Sequence, residues 1–172
     1  MEGPANDNQE LFSLLYGELR QLAHSRLLKS GRVTLLGTTS LVNETFLRVA
    51  RAGRLEISGR SQFLAYAGRV MRSIVVDFVR QRVAGRRGGD QERVTLDTES
   101  AGHLPSPEDE IIRVNDALEE LAKVDPRLVS VVEMRYFAGL SDDDIAAALG
   151  VNARTVRRDW QKARLLLSLA LQ

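Results

Sequence analysis

The sequence contains no cysteine, which excludes disulfides and thiolate metal sites and fits a reducing compartment. Histidine is nearly absent too: only His24 and His103 occur, one in a helical pattern and one in a polar connecting stretch. Neither a metal site nor a Ser-His pairing is expected from them. No apolar run is long enough to span a bilayer, and the opening MEGPANDNQE lacks the basic and apolar regions of a signal peptide. It reads as a short frayed tail on a cytoplasmic protein with no membrane partner. Neither GxGxxG nor a GxxxxGK loop follows a strand-like segment, so phosphate-cradling loops are missing. The carboxylates that do cluster, Glu119 with Glu120 and the run Asp142 to Asp144, fall on exposed faces or at helix starts. There they complement the helix dipole rather than perform acid–base work. No catalytic residue, cofactor or metal is expected, which argues against an enzyme.

What is present is a globular composition, 44% hydrophobic and 27% charged over 172 residues, enough for one or two small domains. A formal net charge of +1 conceals a strong segregation. Residues 45–94 carry eleven Lys/Arg against four Asp/Glu, a net +7, and residues 95–125 carry two against nine, a net −7. The flanking stretches are near balance, at −1 for residues 1–44 and +2 for residues 126–172. A basic module followed by an acidic middle suggests a polyanionic partner.

The most informative stretch runs from Asp125 to Leu171. Ser141 is placed to cap a helix whose first turn holds Asp142, Asp143 and Asp144, and Gly150 supplies its C-terminal stop. Asn152 can then cap the next helix after a short turn. Ile145, Ala146, Leu149, Val151 and Val156 give two crossing helices their apolar contact, with Ala146 small enough for close approach. The second helix carries Arg154, Thr155, Arg157 and Arg158 at its front, the arrangement of a helix-turn-helix that enters the major groove N-terminus first. An ordinary helical hairpin with a solvated basic face is the bland alternative.

Along the rest of the chain, Leu11 to Leu28 has helical apolar spacing interrupted mildly at Gly17. SLVNETFLRVARA forms a second helix with Leu41, Val42, Thr45, Phe46 and Val49 on one face, capped by Thr38, Thr39 or Ser40. GRLEISGRS is a loop. The longest helix runs from Gln62 to about Val83, its core side being Phe63, Ala67, Val70, Ile74 and Phe78. Arg69, Arg72 and Arg80 share an arc of roughly 80° on another face. With Arg82, Arg86 and Arg87 following and few acids nearby to pair with, this reads as a phosphate-tracking surface. DQERVTLDTESAGHLPSPEDE is an acidic linker; Pro107 and Glu108 open a helix with the stripe Ile111, Val114, Leu118 and Leu121, and Asp125 and Pro126 open the next. No strand-period alternation and no repeat appear. The expected fold is all-α: two small helical domains, 1–89 and 108–172, joined by a linker at 90–107, the second domain a helix-turn-helix.

These pieces, in this order, resemble the extracytoplasmic-function (ECF) class of bacterial sigma factors, the dissociable promoter-recognition subunits of RNA polymerase. SLVNETFLRVARA is similar to the family's core-binding helix, FLAYAGRVMRSIVVDFVRQR to the helix that meets the −10 element, and MRYFAGLSDDDIAAALGVNARTVRRDWQKAR to the −35-reading helix-turn-helix. The resemblance implies that Leu41, Val42, Glu44, Phe46 and Leu47 dock on the clamp helices of the polymerase largest subunit. It implies that Arg69, Arg72, Arg80 and Arg82, with Asp77 among them, hold promoter DNA near the melted region. The loop from Arg51 to Ser61 matches the position that captures an unstacked base, and Arg154, Thr155, Arg157 and Arg158 match the recognition helix. An anti-sigma partner is left open.

One departure from the family pattern is informative. An acidic tetrad usually precedes the core-binding match, whereas here the four residues are Gly37, Thr38, Thr39 and Ser40, with no charge. Charge-assisted contacts contribute roughly 1.5 to 3 kcal/mol each, so the unmodified chain is expected to bind polymerase poorly. A Ser/Thr protein kinase becomes an expected partner, acting on Thr39 first and otherwise on Thr38 or Ser40, because a phosphate would restore the missing charge. Two other readings compete: a stand-alone helix-turn-helix transcriptional regulator, which would need polymerase already carrying a sigma factor, and a protein-binding adaptor, which would show no salt-dependent DNA affinity.

Overall fold

A computed structural model describes residues 5–29, 36–52, 57, 59–88 and 106–172; the expected linker at 90–107 lies almost wholly outside them. All regular structure among the described residues is helical, as the sequence predicted. Eight α-helices occur in chain order: α1 (Ala5–Leu14), α2 (Tyr16–Lys29), α3 (Thr38–Arg51), α4 (Arg60–Gly88), α5 (Pro107–Val124), α6 (Pro126–Val132), α7 (Asp142–Leu149) and α8 (Ala153–Ala170). A π-helical turn, Glu133–Phe137, continues α6. No described helix is long and apolar enough to cross a membrane.

Local chemistry explains most of the boundaries. Ser106 caps α5 through a reciprocal box: its hydroxyl accepts from the Asp109 backbone N–H, and the Asp109 carboxylate accepts from the Ser106 N–H. Ser141 and Asp144 repeat that box at the start of α7. Asp125 caps α6, with Pro126 at its first position, and Asn152 caps α8 by accepting from the Thr155 N–H at 2.8 Å. Gly150 ends α7 in the left-handed conformation at φ 65°.

Several expectations need correction. The first helical stretch begins at Ala5 rather than following a frayed tail, and it is divided at Leu15, not at Gly17. Leu15 is buried, and its N–H and C=O still join the ladders of both helices, so a core position rather than a glycine sets the break. Helix α4 runs on to Gly88, beyond the expected Val83. The cap of α3 is Gly37; none of Thr38, Thr39 and Ser40 caps it through a side chain. In α5, Val114 is exposed while Asn115, Ala117, Leu118 and Leu121 are buried. That helix lies between α4 and the pair α6 and α8, and so buries polar groups toward α4 as well as apolar ones toward its other neighbours.

The core has two parts. The larger joins Phe12, Leu19, Leu41, Phe63 and Met71 of the first four helices to Val131, Met134, Ile145 and Val156 of the C-terminal half. Phe12 packs edge-on to Phe46 and Phe63. The smaller holds Leu118, Leu121, Leu128, Val132 and Ala163, with Trp160 touching both. Closest approach falls at Gly68, where a Cβ would sit 3.1 Å from the backbone of Phe137 and Ala138. Glycine is what lets α4 lie directly on the π turn.

Replacing Gly150 with alanine adds no clash, since nothing lies within 4 Å of its would-be Cβ, but it forces a Cβ into φ 65°. The expected loss is about 1–2 kcal/mol. A circular-dichroism melt should show a midpoint lower by roughly 2–8 °C.

Candidate nucleic-acid interface

The pair α7 and α8 forms as its spacing predicted, two helices joined by a turn at Gly150. Arg154, Arg157 and Arg158 stand exposed on the first two turns of α8, with Thr155 half-buried between them. Among the described residues no carboxylate pairs with Arg154 or Arg157, while Arg158 lies 3.6 Å from Asp159. The opposite side of α8 is anchored: Val156 and Ala163 are fully buried, and Asp159, only 3% exposed at its side chain, pairs with Arg127 of α6 at 2.9 Å. Lys162 reaches Asp125 at 3.5 Å. Arg135 of the π turn ties the unit together, pairing with Asp142 of α7 while its guanidinium lies 5.0 Å from the Trp160 ring centroid. Burial and the nearby Arg157 lower the Arg135 pKa from its usual value, yet guanidinium remains a cation at any physiological pH. The Ser141 hydroxyl holds the Asp144 carboxyl below the ordinary carboxylate range. The result is a rigid helix with a cationic front aimed at solvent.

The basic face of α4 is different, and here the sequence misled. Few acids lie near it in the chain, but the fold brings them. Glu133, 5% exposed at its side chain, accepts from Arg69 Nε at 2.9 Å and from Arg72 Nη2 at 2.8 Å. Arg72 also donates to Asn115 Oδ1 at 2.9 Å and lies 5.7 Å from the Phe137 ring centroid. Arg80 pairs with Asp116 at 3.0 Å, and Arg82, outside the shared arc, approaches Glu108 at 3.9 Å. Helix α4 extends through Arg86 and Arg87, but their side chains lie outside the described residues. Much of the loop from Arg51 to Ser61 lies outside them too; its last two residues, Arg60 and Ser61, open α4. Arg60 pairs with Glu18 of α2.

Helix α3 turns most of its predicted polymerase-facing residues inward. Leu41 and Val42 are fully buried, Phe46 is half-buried against Phe12, and Leu47 is exposed. Glu44 pairs with Arg48, which also reaches Asp77 at 3.0 Å and Ser73 at 3.2 Å on α4. Thr38, Thr39 and Ser40 fill the first turn, which holds no acidic residue; Thr39 and Ser40 are exposed.

Sequence reasoning missed Glu133, Asn115, Asp159 and the Arg135–Trp160 contact. A glutamate inside an otherwise apolar helical run, and an aspartate among the arginines of α8, were the available signals: each is too costly to bury alone and so demands a cationic partner. Asp159→Ala should lower stability by about 1–3 kcal/mol, less than for a wholly buried pair because Arg127 remains half in water. Urea denaturation followed by far-ultraviolet circular dichroism measures it.

Among known proteins, the ECF sigma factor family model matches residues 1–172. No curated protein and no solved structure matches the chain. The family is one of non-enzymatic factors acting in transcription initiation. With its whole length covered by that model, the chain belongs to the ECF sigma factor family.

Proposed function

We propose that the chain is a cytoplasmic sigma factor that binds core RNA polymerase and directs it to particular promoters through two DNA contacts, one from each of two modules at 1–89 and 108–172. The observation that carries this reading is the α7–α8 pair, whose exposed cationic front is braced from behind by Asp159 and Trp160. Helix-turn-helix readout in the −35 major groove follows from it: Arg154, Arg157 and Arg158 supply phosphate and base-edge donors, and Thr155 sits between them. The arginines of α4 would contact the −10 region, and α3 would meet the largest-subunit clamp helices. Since Leu41 and Val42 are core residues, the outward contribution of α3 falls to Leu47, Glu44 and the edge of Phe46.

Run-off transcription with sigma-free polymerase, followed by start-site sequencing, tests this. The expected result is defined start sites, and loss of discrimination by about 1–3 kcal/mol per removed base contact in Arg154→Ala or Arg157→Ala. Activity only with polymerase already carrying another sigma factor would instead favour the stand-alone regulator.

The finer reading is that phosphorylation in the first turn of α3 activates the protein. Its support is local. Gly37 leaves the N-terminus of α3 without a side-chain cap, the first turn carries no acid, and Thr39 and Ser40 are exposed. A phosphate on Thr39, or failing that Thr38 or Ser40, adds about −1.5 to −2 charge beside unsatisfied N–H groups. It would strengthen the helix start by roughly 0.3–1 kcal/mol and restore attraction to basic residues on polymerase. Pull-down of core polymerase should rank kinase-treated and Thr39→Glu protein above unmodified and Thr39→Ala protein. Tight binding by a triple Thr38→Ala, Thr39→Ala, Ser40→Ala protein would sink the switch.

A further inference from the structure

The exposed side of α8 is uniform in charge except at one position. Between 153 and 164 the exposed residues are Arg154, Arg157, Arg158, Gln161, Lys162 and Arg164, so one neutral amide stands among cations. At about 100° per residue, Gln161 falls within about 20° of Arg154 around the helix axis, and Arg157 and Arg158 flank that line on opposite sides by about 60° and 40°. The buried residues Val156, Asp159 and Ala163 lie on the other side of the helix. Arg154 and Gln161 therefore mark its outward midline. Side chains at i, i+3, i+4 and i+7 are the set that a helix laid in the major groove turns toward base edges.

The neighbours of Gln161 fix where its backbone stands. Asp159 is paired with Arg127 at 2.9 Å, the Arg135 guanidinium lies 5.0 Å from the Trp160 ring centroid, and Ala163 is fully buried. The Gln161 side chain itself is exposed and has no hydrogen-bond partner among the described residues. A cation at such a position gains from any phosphate within reach, whatever the sequence. A neutral amide gains only where its donor and acceptor together meet a complementary base edge.

We infer that Gln161 is a specificity-determining residue of the DNA contact and that it reads adenine. The inference rests on the reading that the front of α8 enters the major groove. The amide N–H donates to adenine N7, and the amide oxygen accepts from the N6 amino group. Arg154, on the same line, presents a guanidinium fork that matches guanine O6 and N7. Seven residues of helix rise about 10.5 Å against about 3.4 Å per base pair, which places the two contacts roughly two to three base pairs apart. A site bound by α8 thus holds a guanine and an adenine at that spacing.

Repeated selection from a randomised duplex DNA pool at low salt, with the full chain as bait, tests the assignment. The unaltered chain should enrich a motif that contains both bases. Gln161→Ala should lose about 5- to 150-fold of discrimination at the adenine and keep the guanine. Gln161→Glu should exchange the adenine for cytosine, because a carboxylate accepts from cytosine N4 and offers nothing to adenine N7. Arg154→Ala should lose the guanine and keep the adenine. A merely structural role for Gln161 would not redirect the choice of base, and both Gln161 variants should melt with the unaltered chain because the side chain is exposed. One motif shared by the unaltered chain and both Gln161 variants would overturn the assignment and leave promoter reading by the α8 arginines standing. A loss of affinity in Gln161→Ala that is equal across all sequences would overturn it as well. Enrichment of no motif by the unaltered chain would defeat α8 readout itself, and the assignment with it.

Discussion

Among the polar contacts that join the two halves of this protein, one carboxylate holds two arginines at once. Glu133 sits in the π turn, nearly excluded from water, and both of its oxygens are taken by arginines of α4. An isolated buried carboxylate would cost several kcal/mol, so its burial requires that α4 be present. The π turn is how the chain places it. The widened turn carries Glu133, Phe137 and Ala138 to the face where α4 has only Gly68 in the way, and the backbones close to contact. Shape and charge thus fix the same register. A pair of this kind adds little net stability over an apolar substitute, but it penalises any other alignment in which either charge is left unpaired.

The charge segregation bears on the same arrangement. Among the described residues, the basic stretch 45–94 and the acidic stretch 95–125 meet at two pairs, Arg80 with Asp116 and Arg82 with Glu108, between α4 and α5. Those pairs are half-exposed or long, so each contributes little and weakens with salt. The durable contacts are Arg72 with Glu133 and Asn115, supported by apolar packing around Val131, Met134 and Ile145. The short buried contacts set the alignment of the two halves.

How much of this was legible in the chain depends on distance along it. Signals confined to four or five residues were read correctly: Ser141 as a cap, Gly150, Asn152, and Pro126 after Asp125 each act within one helical turn, and the bounds of α7 follow from them. The start of α3 was placed correctly, but its cap was not. Ser and Thr at a helix start suggest capping, yet here the extended Gly37 occupies the cap position and the hydroxyls follow inside the first turn. Periodicity found the core of α4 and mistook its other face for a free one. The partners of Arg69 and Arg72 lie 64 and 61 residues away, and nothing in a local pattern encodes a pairing over that separation. Val114 was misplaced for the same reason: α5 faces α4 on one side and the second core on the other, so a single apolar stripe could not describe it.

The inward orientation of α3 gives the first turn of that helix its weight. The core-binding role proposed for α3 needs surface to offer, but Leu41, Val42, Thr45 and Val49 are committed to the interior. Thr45 even spends its hydroxyl on the Leu41 carbonyl, at 2.7 Å. Glu44 is drawn back to Arg48, which is itself held by Asp77 and Ser73 of α4. The outward side therefore carries Asn43 and Leu47, a carboxylate already paired, and the last-turn cations Arg48 and Arg51, the latter exposed. A partner that recognises negative charge finds only a paired carboxylate on α3, and Thr39 and Ser40 at its N-terminus are exposed. Added there, a negative group meets the positive end of the helix dipole and no neighbouring acid within the turn. An exposed position at which a negative charge is locally favourable, on an element whose one carboxylate is already paired, is where a modest change can alter binding most.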